Sequence, residues 1–157
     1  MYSLQNKLTR NLIVNMLLVM LTLLIVLYFS TRHILFNYVA TRLQHDSDSL
    51  ITAINFDERG VWGVSPLRMS TIYSRVRSGH YYRVKSGNRE AISRSLFDAD
   101  FPTVEHIKSQ THHLADGPHG ELWMTWYQRV DKGGERFDIW ISEDIMPIQQ
   151  ALIRYTV

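Results

Sequence analysis

The sequence of 157 residues contains no cysteine. This absence excludes structural disulfides, thiolate metal sites and a cysteine nucleophile. It leaves the redox compartment open, because an oxidising space permits disulfides without requiring them. A chain of this length suits a single domain and is too short for most multidomain enzymes.

Acidic residues are missing from the beginning of the chain, where the first is Asp46. Lys7 and Arg10 are the only charged residues among the first 31. Subtracting these two from 17 Lys+Arg leaves 15 basic residues against 15 Asp+Glu, so the rest of the chain is electrically neutral. Nucleic-acid-binding proteins spread basic residues over a whole face, and the net charge of +2 therefore does not predict a nucleic-acid partner.

Charge is absent from residues 11–31, and within Leu12–Phe29 only Asn15, Thr22 and the Tyr28 hydroxyl are polar. A helix of about 21 residues rises about 31 Å, which matches a bilayer core of roughly 30 Å. We therefore predict a transmembrane helix over residues 11–31, preceded by a cytoplasmic stub, residues 1–10. A cleaved signal peptide is the alternative, but the apolar run exceeds the usual length of about 7 to 15 residues and no small-residue cleavage site follows it.

The basic residues that flank the apolar run differ little in number on its two sides. Lys7 and Arg10 precede it, whereas Arg32 and Arg42 follow it. The bias favours an N-terminus in the cytoplasm, with residues from about 32 onward outside. The first expected partner of the chain is therefore a lipid bilayer.

Glycine and proline are missing until Gly60, so nothing interrupts a helix that runs to about Ile54. We predict a stalk helix over residues 32–56. Apolar residues recur in it at spacings of 3 and 4, the rhythm of a coiled coil, which favours a parallel homodimer. A stalk helix that packs on its own domain is the alternative, since one position of this heptad stripe is acidic. The heptad stripe consists of Phe36, Val39, Leu43, Asp46, Leu50 and Ala53.

Residues 57–142 change to short β-type runs separated by turn residues, which predicts an α+β fold with a mixed or antiparallel sheet of about five strands. The expected strands are residues 60–64, 80–84, 90–95, 121–130 and 135–142. Ser65-Pro66 favours a helix from there to about Arg75. Phe137, Ile139 and Ile141 alternate with more polar residues, so one face of the last strand should be buried.

The closing segment, residues 143–157, predicts a second amphipathic helix. Ile145, Ile148 and Leu152 follow one another at spacings of 3 and 4, and Asp144 is a candidate N-cap. The helical pattern still runs at Val157, so we expect this helix to lead toward a second transmembrane segment that follows in a longer protein.

Three strings in this plan resemble the N-terminal sensory region of bacterial two-component sensor histidine kinases. They are Ser78-Gly-His-Tyr-Tyr-Arg-Val84, Ile92-Ser-Arg-Ser-Leu-Phe-Asp98 and Ile141-Ser-Glu-Asp-Ile-Met-Pro-Ile148. The resemblance covers nearly the whole chain and rests on structural hallmarks. It implies a PAS-like periplasmic sensor domain, a homodimer in the inner membrane, and a cytoplasmic kinase part that uses ATP and Mg²⁺ and acts on a response regulator. The phosphoacceptor and ATP-binding motifs of that part are not in this sequence.

Histidines and carboxylates supply the candidate sensing residues. Imidazole and carboxylate groups together suit Zn²⁺ or Ni²⁺, and a protonation switch is the neighbouring hypothesis. Solvated loop histidines are the alternative to both. These candidates are His106, His112, His113, His119, Asp98 and Asp100. His80 and Tyr82 are a separate pair of ligand-pocket candidates, because alternation places them on one face of a strand.

Charge is segregated within the domain, with a net of +6 over residues 68–94 and −6 over residues 98–144. Mutual screening between neighbouring segments is one interpretation, and contact of the basic segment with anionic headgroups is another. No nucleophile motif is present, so we predict no catalytic residue in this chain. A complete single-pass periplasmic binding or assembly protein remains the alternative function, and a histidine-dependent metalloenzyme is a third.

Overall fold

The computed structural model describes residues 2–102 and 108–154. It divides into two compact units, Met1–Asn37 and Tyr38–Val157. A long helix, α1, runs from Tyr2 to Ala53 and contributes residues to both units. In the described part of the chain, one helix, Gln5–Ala53, is long and apolar enough to cross a membrane.

Helix α1 is continuous because it contains no glycine or proline, as the sequence predicts. It has no basic residue in its last turn, and two side chains from elsewhere bind carbonyl groups in that turn and directly after it instead. Lys132 Nζ donates to the carbonyl oxygens of Ile51 and Ile54, at 2.6 and 2.7 Å. Arg68 donates to that of Thr52 at 3.2 Å. These cations satisfy and neutralise the negative end of the helix.

The part of α1 in the second unit buries one stripe of side chains. Val39, Leu43, Leu50 and Ala53 are at most 2 % exposed within a single chain. The same spacing that is typical of a coiled coil is here the core-facing side of a helix packed on its own domain, which was the alternative interpretation. These four side chains are not accessible to a second copy.

Two short strands, β1 (Ile54–Phe56) and β2 (Trp62–Val64), form a separate antiparallel ribbon after α1. The strand predicted over residues 60–64 is therefore present in part, but it does not join the main sheet. The helix predicted from Pro66 to Arg75 is wrong. Two 3-10 turns, Pro66–Arg68 and Thr71–Ser74, replace it, because the extended backbone of Ser70 interrupts any longer helix and serine and threonine favour turns.

The main sheet has five strands, all antiparallel, in the order β4-β3-β7-β6-β5. The strands are β3 (His80–Ser86), β4 (Arg89–Ile92), β5 (Thr111–Asp116), β6 (Leu122–Lys132) and β7 (Glu135–Asp144). The two predicted hairpins are confirmed, with turns at Gly87-Asn88 and Gly133-Gly134. Strand β5 was not predicted, because an edge strand with polar side chains lacks the apolar alternation of a half-buried one.

The two faces of the sheet are buried in different ways. Phe137, Ile139 and Ile141 are fully buried on the face that α1 covers, as their alternation predicts. On the other face Tyr81 stacks on Trp123 with ring centroids 4.4 Å apart. Gly117 lies so close to this indole that a Cβ atom there would meet Trp123 Nε1 at 2.2 Å.

Helix α2 (Met146–Arg154) follows β7 almost directly. Asp144 Oδ1 accepts hydrogen bonds from the backbone N–H groups of Met146, at 2.9 Å, and Leu122, at 3.3 Å. Asp144 therefore binds the first N–H of α2 from one position before the N-cap, which is Ile145, and it also ties the start of α2 to β6.

Candidate functional site

Polar and charged side chains, two of them buried and four half-buried, lie together where α1 crosses the main sheet. We call this cluster the polar junction. It draws on α1, the second 3-10 turn and two neighbouring strands of the sheet. Its members are Arg42, Asp46, Tyr73, His80, Tyr82 and Glu143.

An ion pair between Arg42 and Glu143 is the centre of the junction and connects α1 to β7. The Glu143 side chain is only 6 % exposed, whereas that of Arg42 is 36 % exposed. Burial by itself lowers the pKa of Arg42, but the hydrogen bond and charge of Glu143 outweigh it and raise the pKa above its ordinary value. A buried pair of this kind contributes little net stability, yet removing one partner leaves an unpaired buried charge.

His80 lies beside this ion pair. Its Nε2 is 3.2 Å from an Arg42 guanidinium nitrogen and 4.0 Å from Glu143 Oε1. Because a guanidinium only donates hydrogen bonds, Nε2 must accept here. This hydrogen bond requires the tautomer of His80 that carries its proton on Nδ1.

Tyr73 closes the junction on the side of the 3-10 turn. Its hydroxyl donates a hydrogen bond to Asp46 Oδ2 at 2.5 Å. Its ring centroid lies 5.6 Å from that of Tyr82 and 6.3 Å from that of His80. Burial, with the hydrogen bond to Asp46, raises the pKa of Tyr73 far above its ordinary value, so the phenol stays protonated.

Three buried polar atoms of the junction have no hydrogen-bond partner among the described residues. They are Arg42 Nε, His80 Nδ1 and Glu143 Oε2. Native proteins pair the large majority of such atoms. The side chains of the described residues alone therefore do not satisfy the junction where α1, β3 and β7 meet.

Two serines fix the backbone of β3 beneath the junction. Ser95 Oγ donates to the carbonyl oxygen of His80 at 2.6 Å, and Ser93 Oγ accepts from the N–H of Tyr82 at 3.0 Å. The two hydroxyls are 2.8 Å apart. The segment Ser93-Arg94-Ser95 therefore holds the strand that carries His80 and Tyr82, and this limits where those side chains can go.

The junction is also connected to α2 through the backbone. Glu143 immediately precedes Asp144, whose side chain binds the first N–H of α2. The N–H of Asp144 donates to the carbonyl oxygen of Gly79 at 2.8 Å, next to His80. Any displacement of Glu143 would therefore act on the first turn of α2.

The structure brings together only some of the predicted site residues. His80 and Tyr82 share a face, as alternation predicts, and both rings contact Tyr73, which binds Asp46 of the heptad stripe. Ile145 is buried, while Ile148 and Leu152 are half-buried along α2. Phe36 belongs to the first unit, where the Arg32 guanidinium lies 5.5 Å from its ring centroid.

The predicted histidine and carboxylate cluster does not assemble in the described part of the chain. His112 is exposed, whereas its neighbour His113 points to the opposite face of β5 with both ring nitrogens buried. Asp98 lies 3.9 Å from Arg77, and Asp100 and His119 are exposed. His106 falls outside the described residues. Within residues 2–102 and 108–154 no three metal-binding side chains lie together.

Three members of the polar junction were not predicted from the sequence: Arg42, Tyr73 and Glu143. The sequence does contain a signal for Glu143. This acidic residue follows Phe137, Ile139 and Ile141 at the same spacing of two, so it lies on the same buried face of the strand. Arg42 precedes Asp46 by one helical turn, which places both on one side of α1. Nothing in the sequence identifies Tyr73 as the partner of Asp46.

Comparison with known proteins gives no match of any kind: no family model, no curated protein and no solved structure resembles the chain significantly. The polar junction is therefore the feature from which function has to be inferred.

Proposed function

We propose that this chain is the signal-sensing part of a membrane-anchored receptor, a dimeric two-component sensor histidine kinase. In this proposal residues 11–31 cross the bacterial inner membrane, and the second unit is a PAS-like sensor domain in the periplasm. The kinase part would follow in the same protein, use ATP and Mg²⁺, and phosphorylate a response regulator.

One observation carries the proposal: a single uninterrupted helix contains both the apolar segment and Arg42 of the polar junction. Arg42 pairs with Glu143 on the strand that leads into α2. An α-helix has no internal hinge unless glycine, proline or a bulge supplies one, so a shift at Arg42 is passed along the helix axis. The ion pair thus links the helix that enters the domain to the helix that leaves it.

The placement of the three strings that resemble sensor histidine kinases supports the same proposal. The first forms β3, the third forms the end of β7 and the start of α2, and these strands pair side by side. The second supplies Ser93 and Ser95, which hold β3 in place. An antiparallel five-stranded sheet with a helix before it and a helix after it is compatible with a PAS-like domain.

The proposed homodimer has to use surfaces other than the buried heptad stripe. On the outer side of α1 in the second unit Tyr38 is 63 % exposed, and Thr41, Gln44 and His45 are exposed as well. The chain has no native cysteine, so single cysteines at these positions report a dimer through disulfide crosslinking in membranes. Crosslinking at Gln44 but not at Asn88, the exposed tip of the β3–β4 hairpin, is the expected result.

The direct test of the receptor is the reading frame that follows Val157. The proposal predicts a second apolar segment of about 20 residues and then the phosphoacceptor and ATP-binding motifs of a histidine kinase. A stop codon immediately after Val157 contradicts it and favours a complete single-pass binding or assembly protein.

A functional test uses the full-length protein in membrane vesicles, with autophosphorylation from ATP as the readout. Arg42→Met removes the ion pair to Glu143, and we expect the level of autophosphorylation to depart from that of the wild type. Arg136→Met is the matched control, because its ion pair with Asp131 is exposed on both sides, at 68 % and 71 %. Equal activity of the Arg42 variant and the wild type would show that the junction passes no signal.

A further inference from the structure

The three central side chains of the polar junction have two possible hydrogen-bond arrangements, of which the structure contains one. In it, Glu143 accepts from Arg42 and His80 Nε2 also accepts from Arg42. Glu143 Oε1 is only 4.0 Å from Nε2, about one ångström beyond hydrogen-bond distance. A proton on Nε2 would make His80 a donor, and Glu143 is then its nearest acceptor.

We propose that the signal read by the junction is the proton itself: His80 takes up a proton from solvent at Nε2 and exchanges its hydrogen bond from Arg42 for one to Glu143. The proton bonds to the Nε2 lone pair that had accepted from Arg42, no covalent bond within the protein breaks, and the imidazole becomes a cation with both nitrogens as donors. Histidine is the side chain whose charge changes between about pH 5 and pH 8, a range that an outer compartment experiences.

The charges around His80 determine the consequence. Arg42 and Asp46 face it from α1, Tyr73 from the 3-10 turn, and Glu143 from β7. Asp46 is already bound to the Tyr73 hydroxyl, so Glu143 is the carboxylate nearest to His80 for a second cation. Once His80 is charged, it and Arg42 share one buried carboxylate, and two like charges at about 3 Å disfavour one another.

Arg42 is the partner that can leave. Its side chain is 36 % exposed, and its guanidinium lies 5.9 Å from the ring centroid of Tyr38 on the outer side of α1. Glu143, at 6 % exposed, has no such route to water. Protonation therefore releases α1 from β7 and leaves His80 bound to Glu143 within the sheet.

The side chain of His80 is partly exposed to solvent. The buried atoms near it that have no partner among the described residues are available to form the second hydrogen-bond arrangement. The His80 side chain is 18 % exposed, and its Nδ1, together with Glu143 Oε2, has no partner among the described residues. The arrangement seen here requires Nε2 to accept from Arg42, so it is lost when Nε2 carries a proton. A packed element with two discrete arrangements is the kind of device that converts a local charge change into a helix shift.

The test measures the distance between α1 and the sheet in the full chain reconstituted in lipid nanodiscs. Spin labels are attached to cysteines that replace Gln44 on α1 and Leu114 on β5, both exposed. Electron–electron distances are recorded at about pH 7.5 and about pH 5.5, on either side of the ordinary histidine range. We expect one distance at the higher pH and a second, distinct population that grows as the pH falls.

Variants decide which histidine is responsible. His80→Gln should abolish the shift, whereas His113→Gln, which alters a histidine on the other face of the sheet, should retain it. Glu143→Gln removes the acceptor of the new hydrogen bond and the partner of Arg42, so the second population should be present at both pH values. Should this variant not fold, the comparison of wild type with His80→Gln is sufficient.

The inference is overturned by a wild-type distance that does not change with pH, or by a shift that persists in His80→Gln. It rests on the proposed function, since only a receptor would use the shift as a signal, but the two fail separately. A distance that is independent of pH refutes the proton as the signal, whereas a stop codon after Val157 refutes the receptor and leaves the pH-dependent shift intact.

Discussion

The two parts of α1 have the same helical geometry and opposite patterns of side chains. Between Leu12 and Phe29, in the first unit, the helix is apolar on nearly all sides, and large side chains such as Val19 and Leu24 are more than half exposed. In the second unit it buries a single stripe that includes Leu43 and Leu50. An apolar surface all round suits a lipid environment, whereas a single buried stripe suits one side of a folded domain. One uninterrupted helix therefore contains a segment whose surface suits lipid and a segment whose surface suits a folded domain.

The largest expected effect comes from the core-facing stripe. Leu43→Ala removes a side chain that is 1 % exposed, and we expect the free energy of unfolding of the second unit to fall by about 2–5 kcal/mol. Chemical denaturation in detergent micelles measures it. Tyr38→Ala, at a position that is 63 % exposed, should change the same quantity by less than about 0.5 kcal/mol. Similar losses in both variants would show that this half of α1 has no buried stripe.

The second effect concerns the apolar half. Leu21→Arg places a charge near the middle of the apolar segment, which disfavours membrane insertion by about 2.5–3.5 kcal/mol. The share of protein that resists carbonate extraction from membranes should fall, while the second unit keeps its unfolding midpoint. Gln44→Arg is the control, since Gln44 is exposed outside the apolar segment. Undiminished extraction resistance of Leu21→Arg would indicate that this half of α1 does not lie in lipid.

The third effect concerns the hydrogen bonds that Lys132 makes at the C-terminal end of α1. Lys132 neutralises the final carbonyl groups of the helix, and Lys132→Met should reduce the stability of the second unit by about 1–2 kcal/mol. Hydrogen exchange of the last helical turn should rise in this variant. Lys85→Met, which alters an exposed lysine on β3, should leave both quantities near those of the wild type.

The smallest expected effect concerns His113, which lies on the face of the sheet opposite α1. Burial, and then the nearby charge of His112, lower the pKa of His113. Between the folded-state pKa and about pH 6.5, His113 is therefore protonated in the unfolded chain and neutral in the folded chain. Its contribution to the free energy of unfolding is fully present above about pH 6.5 and decreases as the pH falls toward the folded-state pKa.

His113→Gln should weaken the loss of stability between about pH 7.5 and about pH 5.5, measured by denaturation at each pH. His112→Gln, at an exposed position, should leave most of that loss in place. A pH dependence that is unchanged in His113→Gln would show that its ring nitrogens are accessible to water in the folded chain.

Much of the fold could be predicted from local signals in the sequence. The absence of glycine and proline before Gly60 predicted the uninterrupted helix, and Gly133-Gly134 predicted the longest hairpin. The alternation ending at Ile141 predicted the buried face of β7. Local signals failed for residues 66–75, where serine and threonine competed with the helix, and for β5, whose edge position removes the need for apolar alternation.

The site was harder to predict because its contacts are distant in sequence. His80 and Tyr82 could be found by their shared face, and Asp46 stood out as an acid in an apolar stripe. Their partners could not be found in this way, since burial of Glu143 depends on Arg42, and burial of Asp46 depends on Tyr73. Pairing of buried charges is a property of tertiary contacts, which the pattern of one sequence does not contain.

A cysteine-accessibility scan along α1 in native membranes would show directly whether one helix extends from lipid into the folded domain, and the cysteine-free chain makes this scan possible. The account predicts that a water-soluble maleimide fails to label cysteines throughout residues 12–29, on every side of the helix. In the second unit it should label Gln44→Cys and Asp48→Cys but not Leu43→Cys or Ser47→Cys, which replace buried residues. Labelling at Val19 or Leu24, or equal labelling at Leu43 and Gln44, would contradict a single helix shared between lipid and the sheet.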